Sequence, residues 1–324
     1  MRAITQQVYG SVDVLELQDV PMPVAGKKEV VVKVEAAGID AGVWHIVAGR
    51  PLVMRLAGYG IRKPKHAIPG MAFAGRITEI GSGVTSFSLG DVVYGVAKGA
   101  FAEFARAQVD RIASIPVGLT PEQAAALPIS ATTALKAVRD VGRVLPGQRV
   151  LVLGAGGGVG SFAVQISRAF EAEVTGVCST EKVEFVRSLG AKEVVDYKHD
   201  DLARFAGQFE LVIDTGGGRT LKTLRRLLTR QGSLVIVGAE GVGGPLLGGA
   251  DRGMRAGIVS LFVPQRMTGL LGIDKTENLN ELAELVAANK VSPAIDRVFP
   301  LSEAANAIRY VESRQALGKV VISI

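Results

Sequence analysis

One segment constrains this chain more than any other. The apolar run Arg149-Val-Leu-Val-Leu153 passes directly into Gly154-Ala-Gly-Gly-Gly-Val-Gly160 and then into Ser161-Phe-Ala-Val-Gln-Ile-Ser-Arg168. A short β-branched run followed by glycines and a helical pattern reads as a buried strand that turns sharply into a helix. Glycines permit the tight turn and close packing of helix on strand. The helix start presents unpaired N–H groups and a favourable dipole to an anion. The turn has the spacing Ala155-x-Gly157-x-x-Gly160, with alanine in the first position of the fingerprint, where a small residue still fits. The segment therefore predicts a dinucleotide pyrophosphate held by Ala155, Gly157, Gly158, Val159 and Gly160.

The flanking sequence supplies the sheet that such a turn needs. Strands are expected at Val174–Cys178, Val194–Tyr197, Leu211–Asp214 and Leu234–Val237, alternating with helices at Val159–Phe170, Glu181–Leu189 and Thr220–Leu228. Ile258–Val263 reads as the last strand. This alternation predicts an α/β fold with a doubly wound parallel sheet. Before it, Ala3–Val8, Leu15–Val20, Glu29–Ala37, Ala72–Ile80 and Asp91–Val96 read as short strands broken by Gly and Pro, a mostly antiparallel region. Helices are expected at Pro121–Leu127 and Ala131–Val141, and the tail adds helices at Leu279–Ala288 and Glu303–Glu312 and a strand at Lys319–Ile324. The expected organisation is residues 1–120, then 121–265 as the nucleotide domain, then 266–324 returning to the first domain. The Gly-rich stretch Gly238–Gly257 reads as a mobile loop or an irregular surface connection.

Composition removes several classes. The single cysteine, Cys178, allows neither an intrachain disulfide nor a Cys-rich zinc cluster. No run of about 20 apolar residues occurs and the N-terminal stretch lacks a signal-peptide core, so a soluble cytoplasmic protein with no membrane partner is expected. The net charge of +6 is compatible with a basic surface and is weak support for a nucleic-acid partner.

Folds that select NAD place an acid about 20 residues beyond the turn, at the end of the second strand. Here the strand ends in Cys178, followed by Ser179, Thr180 and Lys182, which suit a 2′-phosphate. NADPH is the expected cofactor, and Glu181 keeps NADH as an alternative. Ser179 also reads as a helix cap and Lys182 as an exposed helix charge.

Taken in order, Ala36-Ala-Gly-Ile39, Ile68-Pro-Gly70, Phe73-Ala-Gly75, Gly81-Ser-Gly-Val84, Leu89-Gly-Asp-Val92, Pro146-Gly147, the glycine turn, Leu189-Gly-Ala191, Val195-Asp-Tyr197, Asp214 and Gly318-Lys319 resemble the medium-chain dehydrogenase/reductase superfamily. The likeness covers essentially the whole chain and lies closest to the zinc-free quinone oxidoreductases that include zeta-crystallin. It implies a GroES-like, mostly antiparallel β catalytic domain joined to the Rossmann sheet, and a likeness to homodimers, with Ile258–Val263 as the candidate shared edge. Zinc-dependent members carry a cysteine and a His-Glu pair where this chain has Asp40, Met71 and Ala72, and neither Met71 nor Ala72 suits a catalytic zinc. The resemblance places Thr133 beside the nicotinamide, Tyr197 near the adenine or its phosphate, Thr215 and Gly216 after the fourth strand, Gly238 after the fifth, Phe262 on the last strand, and Lys319 as a cation near phosphate.

Asp40 falls where relatives often carry asparagine, and reads equally as a cofactor-orienting residue or a turn or helix cap. His45 matches a proton-relay histidine whose connecting hydroxyl is replaced by Gly42, so it reads as a proton donor, a cleft residue or a structural histidine. Trp44 is either an aromatic wall for a flat acceptor or core. The stretch Arg50–His66 reads as a basic turn or a cover for the substrate. Without a Lewis acid, hydride addition to a quinone or an activated alkene is the better expectation than alcohol oxidation. A zinc-free carbonyl dehydrogenase, or a weakly catalytic nucleotide-binding protein with an RNA or redox-sensing role, are the alternatives.

Overall fold

A computed structural model of the chain describes residues 1–238, 246–270 and 275–324. These fall into two compact units. One comprises Met1–Thr132 with later segments that include Pro293–Ile324. The other runs from Thr133 through the strand Arg266–Gly269 and adds Asn289–Ser292.

The first unit is built on a six-stranded sheet ordered Ile295–Pro300, Lys319–Ser323, Glu29–Ile39, Ala72–Ile80, Val92–Lys98, Phe104–Ser114. Glu29–Ile39 also pairs with Phe104–Ser114, so four strands close on themselves. All pairings are antiparallel except that between Ile295–Pro300 and Lys319–Ser323. Inward residues Val32, Val34, Phe73, Ile77, Val93 and Ile112 of its strands form its core, joined by Phe101 from the connection between Val92–Lys98 and Phe104–Ser114. Tyr94 is fully buried and its hydroxyl donates to the Leu279 carbonyl at 2.7 Å. At Gly38 an added Cβ would lie 2.2 Å from the Ala125 carbonyl oxygen, so the short helix Pro121–Ala125 rests directly on strand backbone.

The second unit carries the parallel sheet, ordered Arg266–Gly269, Leu228–Ile236, Phe209–Asp214, Arg149–Leu153, Glu173–Cys178, Glu193–Asp196. Arg149–Leu153 is central: later strands are laid down first on one side of it and then on the other. The end of this strand is therefore the switch point at which open α/β sheets bind ligands.

The apolar segment Ile258–Val263 is not a strand. It is the end of the helix Ala250–Ser260 and the turn after it, and the last strand of the sheet is Arg266–Gly269. Asp251 and Arg255 pair one helical turn apart at 2.8 Å, and Gly253 lies so close to Gly269 that an added Cβ would sit 3.0 Å from its Cα. Val259 and Val263 pack against the core, while Phe262 is 81% exposed on the turn. Of the stretch Gly238–Gly257, residues 239–245 lie outside the described residues, and from Ala250 onward it is helix. Besides Arg266–Gly269, two further strands were not anticipated, Phe104–Ser114 and Ile295–Pro300. The helix expected over Ala131–Val141 is a short helix, Ser130–Leu135, followed by a wider turn over Lys136–Gly142. Among the described residues no helix is long and apolar enough to cross a membrane.

Replacing Tyr94 with phenylalanine removes this donor, while the Leu279 carbonyl keeps its place in the helix Thr276–Ala287. We expect a loss of about 0.5–1.5 kcal/mol in unfolding free energy. Urea denaturation with an unchanged slope measures it.

Candidate active site

The glycine turn takes its form from backbone contacts that no side chain would allow. Gly154 has φ +79° and its amide donates to the Val177 carbonyl, which ties the turn to the neighbouring strand. A Cβ at Gly160 would lie 2.0 Å from the Gly154 carbonyl oxygen, so helix Gly158–Ala169 begins in contact with the turn's own backbone. The helix is capped by Gly157 without any side-chain bond, and its first amides, those of Gly158, Val159 and Gly160, have no intrahelical acceptor. Ala155 is fully buried and its amide also reaches the Val177 carbonyl. The shape is a cradle that a phosphate fits and that a Cβ would fill.

Neighbouring strand ends hold the cradle. The Thr215 hydroxyl donates to the Leu153 carbonyl at 2.7 Å, at the exit of the central strand. The amides of Gly216 and Gly217 donate to Asp214 Oδ1, and Arg252 Nη2 donates to Asp214 Oδ2 at 2.8 Å and to the Arg219 carbonyl at 2.7 Å. Arg252 and Asp214 are both buried, and Arg252 Nη1 reaches the Gly238 carbonyl at 3.4 Å. Gly238 lies against Thr215, where a Cβ would meet the carbonyl at 2.4 Å. This ion pair, which fixes both strand-end loops, was not anticipated. Asp214 is among the residues that carry the family resemblance, and a buried acid after an apolar strand is the signal for a cationic partner.

At the end of the second strand, burial pushes the Cys178 thiol up to about 11, so no charge stands where an NAD-selecting acid would. Ser179 occupies the cap position of the turn Thr180–Lys182 but makes no side-chain cap bond, so the expected helix cap is positional only. The Thr180 hydroxyl is engaged with Asp196, and Glu181 is held down to about 2, first by Lys198 at 2.6 Å and also by Ser179. Lys182 runs over the cradle itself, since a Cβ at Gly156 would lie 2.7 Å from Lys182 Cδ. Tyr197 is half exposed rather than core, and its amide donates to the Cys178 carbonyl. Thr133 lies on the helix Ser130–Leu135, half-buried.

The other unit holds Asp40, Trp44, His45 and Lys319. Strand Lys319–Ser323 pairs with Glu29–Ile39 so that Val320 faces Ile39, and this register sets Lys319 beside Asp40. Lys319 is 1% exposed, and its Nζ donates to Asp40 Oδ1 at 2.5 Å, to the Ile39 carbonyl at 2.7 Å and to Ser130 Oγ at 3.1 Å. All three ammonium hydrogens are used, so the charge expected to serve as a cation near phosphate is spent on Asp40, Ser130 and the Ile39 carbonyl. Ser130 Oγ in turn donates to Asp40 Oδ1 at 2.5 Å. Asp40 precedes helix Ala41–Ala48 but makes no side-chain cap, so its carboxylate serves the ion pair. Ser130 was missed. A lysine opening an apolar strand must bury its charge against a carboxylate, and that requirement is the signal that leads to the cluster.

Trp44 and His45 stack, with ring centroids 3.7 Å apart and planes inclined by 28°. Trp44 packs partly against the core. Nδ1 of His45 is buried without a hydrogen-bond partner. Burial lowers the His45 pKa, with the Arg50 carbonyl partly opposing, so the ring is neutral at pH 7.

With this geometry in hand, the likenesses to known proteins have a clear meaning. Residues 26–117 match the alcohol dehydrogenase GroES-like domain, and residues 189–322 match the zinc-binding dehydrogenase domain. The chain belongs to the medium-chain dehydrogenase/reductase superfamily, in its quinone oxidoreductase-like branch. It is 32% identical to the chloroplast envelope quinone oxidoreductase homolog of Arabidopsis thaliana, over 99% of this chain and 98% of that one. It is also 32% identical to the mitochondrial NAD(P)H oxidoreductase RTN4IP1 of Homo sapiens, over 98% of this chain and 87% of the relative. The quinone oxidoreductase structure from Coxiella burnetii superposes with a TM-score of 0.85 at 28% identity, covering 100% of this chain and 99% of that one. The protein is an NAD(P)H oxidoreductase, and the cradle fits its nicotinamide dinucleotide.

Two outcomes test the catalytic unit. Lys319→Met strands a buried carboxylate and should cost about 3–5 kcal/mol, while adding Asp40→Asn should recover part of it. Chemical denaturation of the four proteins of this cycle checks the coupling. For His45, the folded state disfavours the proton. Its contribution is therefore absent above a pH of about 6.5 and destabilising below it, where the unfolded chain protonates first. His45→Asn should lose less stability than the parent on acidification, as read from unfolding free energy against pH.

Proposed function

We propose that the chain is a zinc-independent, NADPH-dependent reductase of quinones or α,β-unsaturated carbonyl compounds, working as a homodimer. The observation that carries this reading is the Lys319–Asp40–Ser130 cluster. At the position where zinc-dependent members place a cysteine ligand, this chain has a carboxylate committed to an ammonium and a hydroxyl. Met71 and Ala72 replace the other zinc-site residues. A substrate whose reduction needs no Lewis acid suits such a site.

A bound nicotinamide supplies the hydride. The cradle residues Ala155, Gly157, Gly158, Val159 and Gly160 hold its pyrophosphate on the helix amides, and Thr215, Gly216 and Gly238 line the adjoining strand ends. Ser179 and Lys182 take the 2′-phosphate, supported by the lysine stem lying over Gly156 and by the absence of a charge at Cys178. Tyr197 and Thr133 are the proposed contacts at the adenine and nicotinamide ends. Asp40 positions the backbone ahead of the helix that carries Trp44 and His45. The stacked Trp44 offers a wall for a flat acceptor, and a neutral His45 leaves solvent as the proton source. Phe262, being on a turn, has no assigned cofactor contact.

For the dimer, the support is a helix face beside the edge strand Arg266–Gly269, where Met254, Ile258 and Leu261 are exposed. Light scattering should give twice the chain mass, and Ile258→Asp should halve it.

NADPH oxidation against a panel of quinones and enones tests the reaction, with turnover expected to persist in a chelator. Lys182→Ala should raise KM for NADPH roughly 10- to 100-fold, the worth of one charge-assisted hydrogen bond, and leave NADH unchanged. No turnover with any acceptor would sink the proposal.

A further inference from the structure

Between Asp40 and Glu79 the chain has no acidic residue, yet it carries Arg50, Arg55, Arg62, Lys63, Lys65 and Arg76. The middle of this stretch folds as a short helix, Leu52–Met54, a wide turn, Arg55–Tyr59, and a loop that doubles back, with the Lys65 amide donating to the Tyr59 carbonyl at 2.7 Å. It is anchored from below. The Tyr9 hydroxyl lies 2.7 Å from the carbonyl oxygens of both Tyr59 and Gly60, and Arg55 stacks on the Tyr9 ring while bonding the Gly49 carbonyl. What this anchoring presents outward is apolar: Leu56 is 73% exposed and Ile61 67%.

Around these two side chains stand exposed cations. Among the described residues, Arg62, Lys63, Lys65 and Lys98 have no carboxylate within ion-pair distance. Lys98, Lys65 and Arg106 lie near His66, whose pKa is lowered by burial and then by these three cations. Of these, Arg106 pairs with Glu29 at 3.3 Å. Uncompensated like charge of this kind carries a cost in the isolated protein and is relieved by an anionic surface.

We propose that this face docks on an anionic lipid bilayer, with Leu56 and Ile61 entering the headgroup boundary and Arg62, Lys63, Lys65 and Lys98 meeting lipid phosphates. Aliphatic tips ringed by lysine and arginine match the demands of that interface. A single-stranded nucleic acid would instead require exposed aromatic planes among the cations, and the exposed large hydrophobic side chains here, Leu52, Leu56 and Ile61, are aliphatic. The absence of a membrane-spanning segment, on which the expectation of no membrane partner rested, does not bear on attachment at the surface. The contact stands independently of which acceptor the enzyme reduces.

Co-sedimentation of the full chain with vesicles of phosphatidylcholine, alone or with a third phosphatidylglycerol, tests it. Binding should require the anionic lipid and weaken as salt is raised. Lys63→Glu with Lys65→Glu should weaken it more than about 20-fold, at roughly fivefold for each cation lost. Leu56→Ser with Ile61→Ser should weaken it severalfold without changing net charge. Lys222→Glu with Lys290→Glu, the same charge change elsewhere on the surface, should have a much smaller effect. Thermal unfolding of each variant shows that it is folded, and the paired Ser variants can be read singly. No binding to anionic vesicles overturns the proposal. So does equal weakening by the patch and control charge variants. Retained binding in the Leu56/Ile61 variant, with poly-uridine RNA competing fully, identifies a general polyanion surface and also overturns it.

Discussion

Much of the catalytic unit depends on one buried ion pair, between residues 279 positions apart in the chain. Lys319 and Asp40 meet because the closing strand lies antiparallel to Glu29–Ile39 in a single register, and a slip of one residue would turn Lys319 to the opposite face. The pair thus specifies the register as well as joining two strands. Ser130 brings the helix Ser130–Leu135 to the same carboxylate. Replacing the pair by apolar residues of similar size need not destabilise the chain, whereas removing one partner must, because the desolvated partner is left behind. Its value lies in fixing where Asp40, and the helix that begins after it, are placed.

A second buried pair has the same function in the nucleotide-binding unit. Asp214 receives two backbone amides on one oxygen and Arg252 on the other, so the loops following two adjacent strands are held by a single carboxylate. The cradle itself contributes no side-chain chemistry. It depends on backbone approaches at Gly154 and Gly160 that any Cβ would block, and on helix amides left without partners. Rigid loops on one side and open donors on the other are what a dinucleotide site requires, because the loops cannot relax to satisfy those donors internally.

The parts of this arrangement that were legible in the sequence are those governed by short-range rules. Arg149–Leu153 followed by glycines forces strand, turn and helix locally, and Ala72–Ile80 shows its strand by alternation. Ile258–Val263 misled because a short apolar run has no period that distinguishes a strand from a helix end. Here the tertiary contact of Gly253 with Gly269 and the Arg252–Asp214 pair decide for helix. Ile295–Pro300 was hidden for the opposite reason: its residues are mostly half or fully exposed and it gains its identity from pairing with Lys319–Ser323. Ser130 and the burial of Lys319 depend on register, which no local pattern encodes. The resemblance could place Lys319 near the cofactor, but only the strand pairing shows where its charge is spent.

These constraints bear on the proposed chemistry together. A lysine and an aspartate that neutralise each other, a histidine held neutral by burial and a neutral Cys178 thiol leave the named site residues with little net charge beyond Lys182 and the helix amides. The Trp44–His45 stack offers a flat, uncharged surface. An enzyme that had to hold an alkoxide would need a positive centre at the reacting oxygen. An acceptor that takes hydride at carbon and draws its proton from water makes no such demand, so an ion pair in place of a metal ligand is compatible with activity and also fixes the geometry around it.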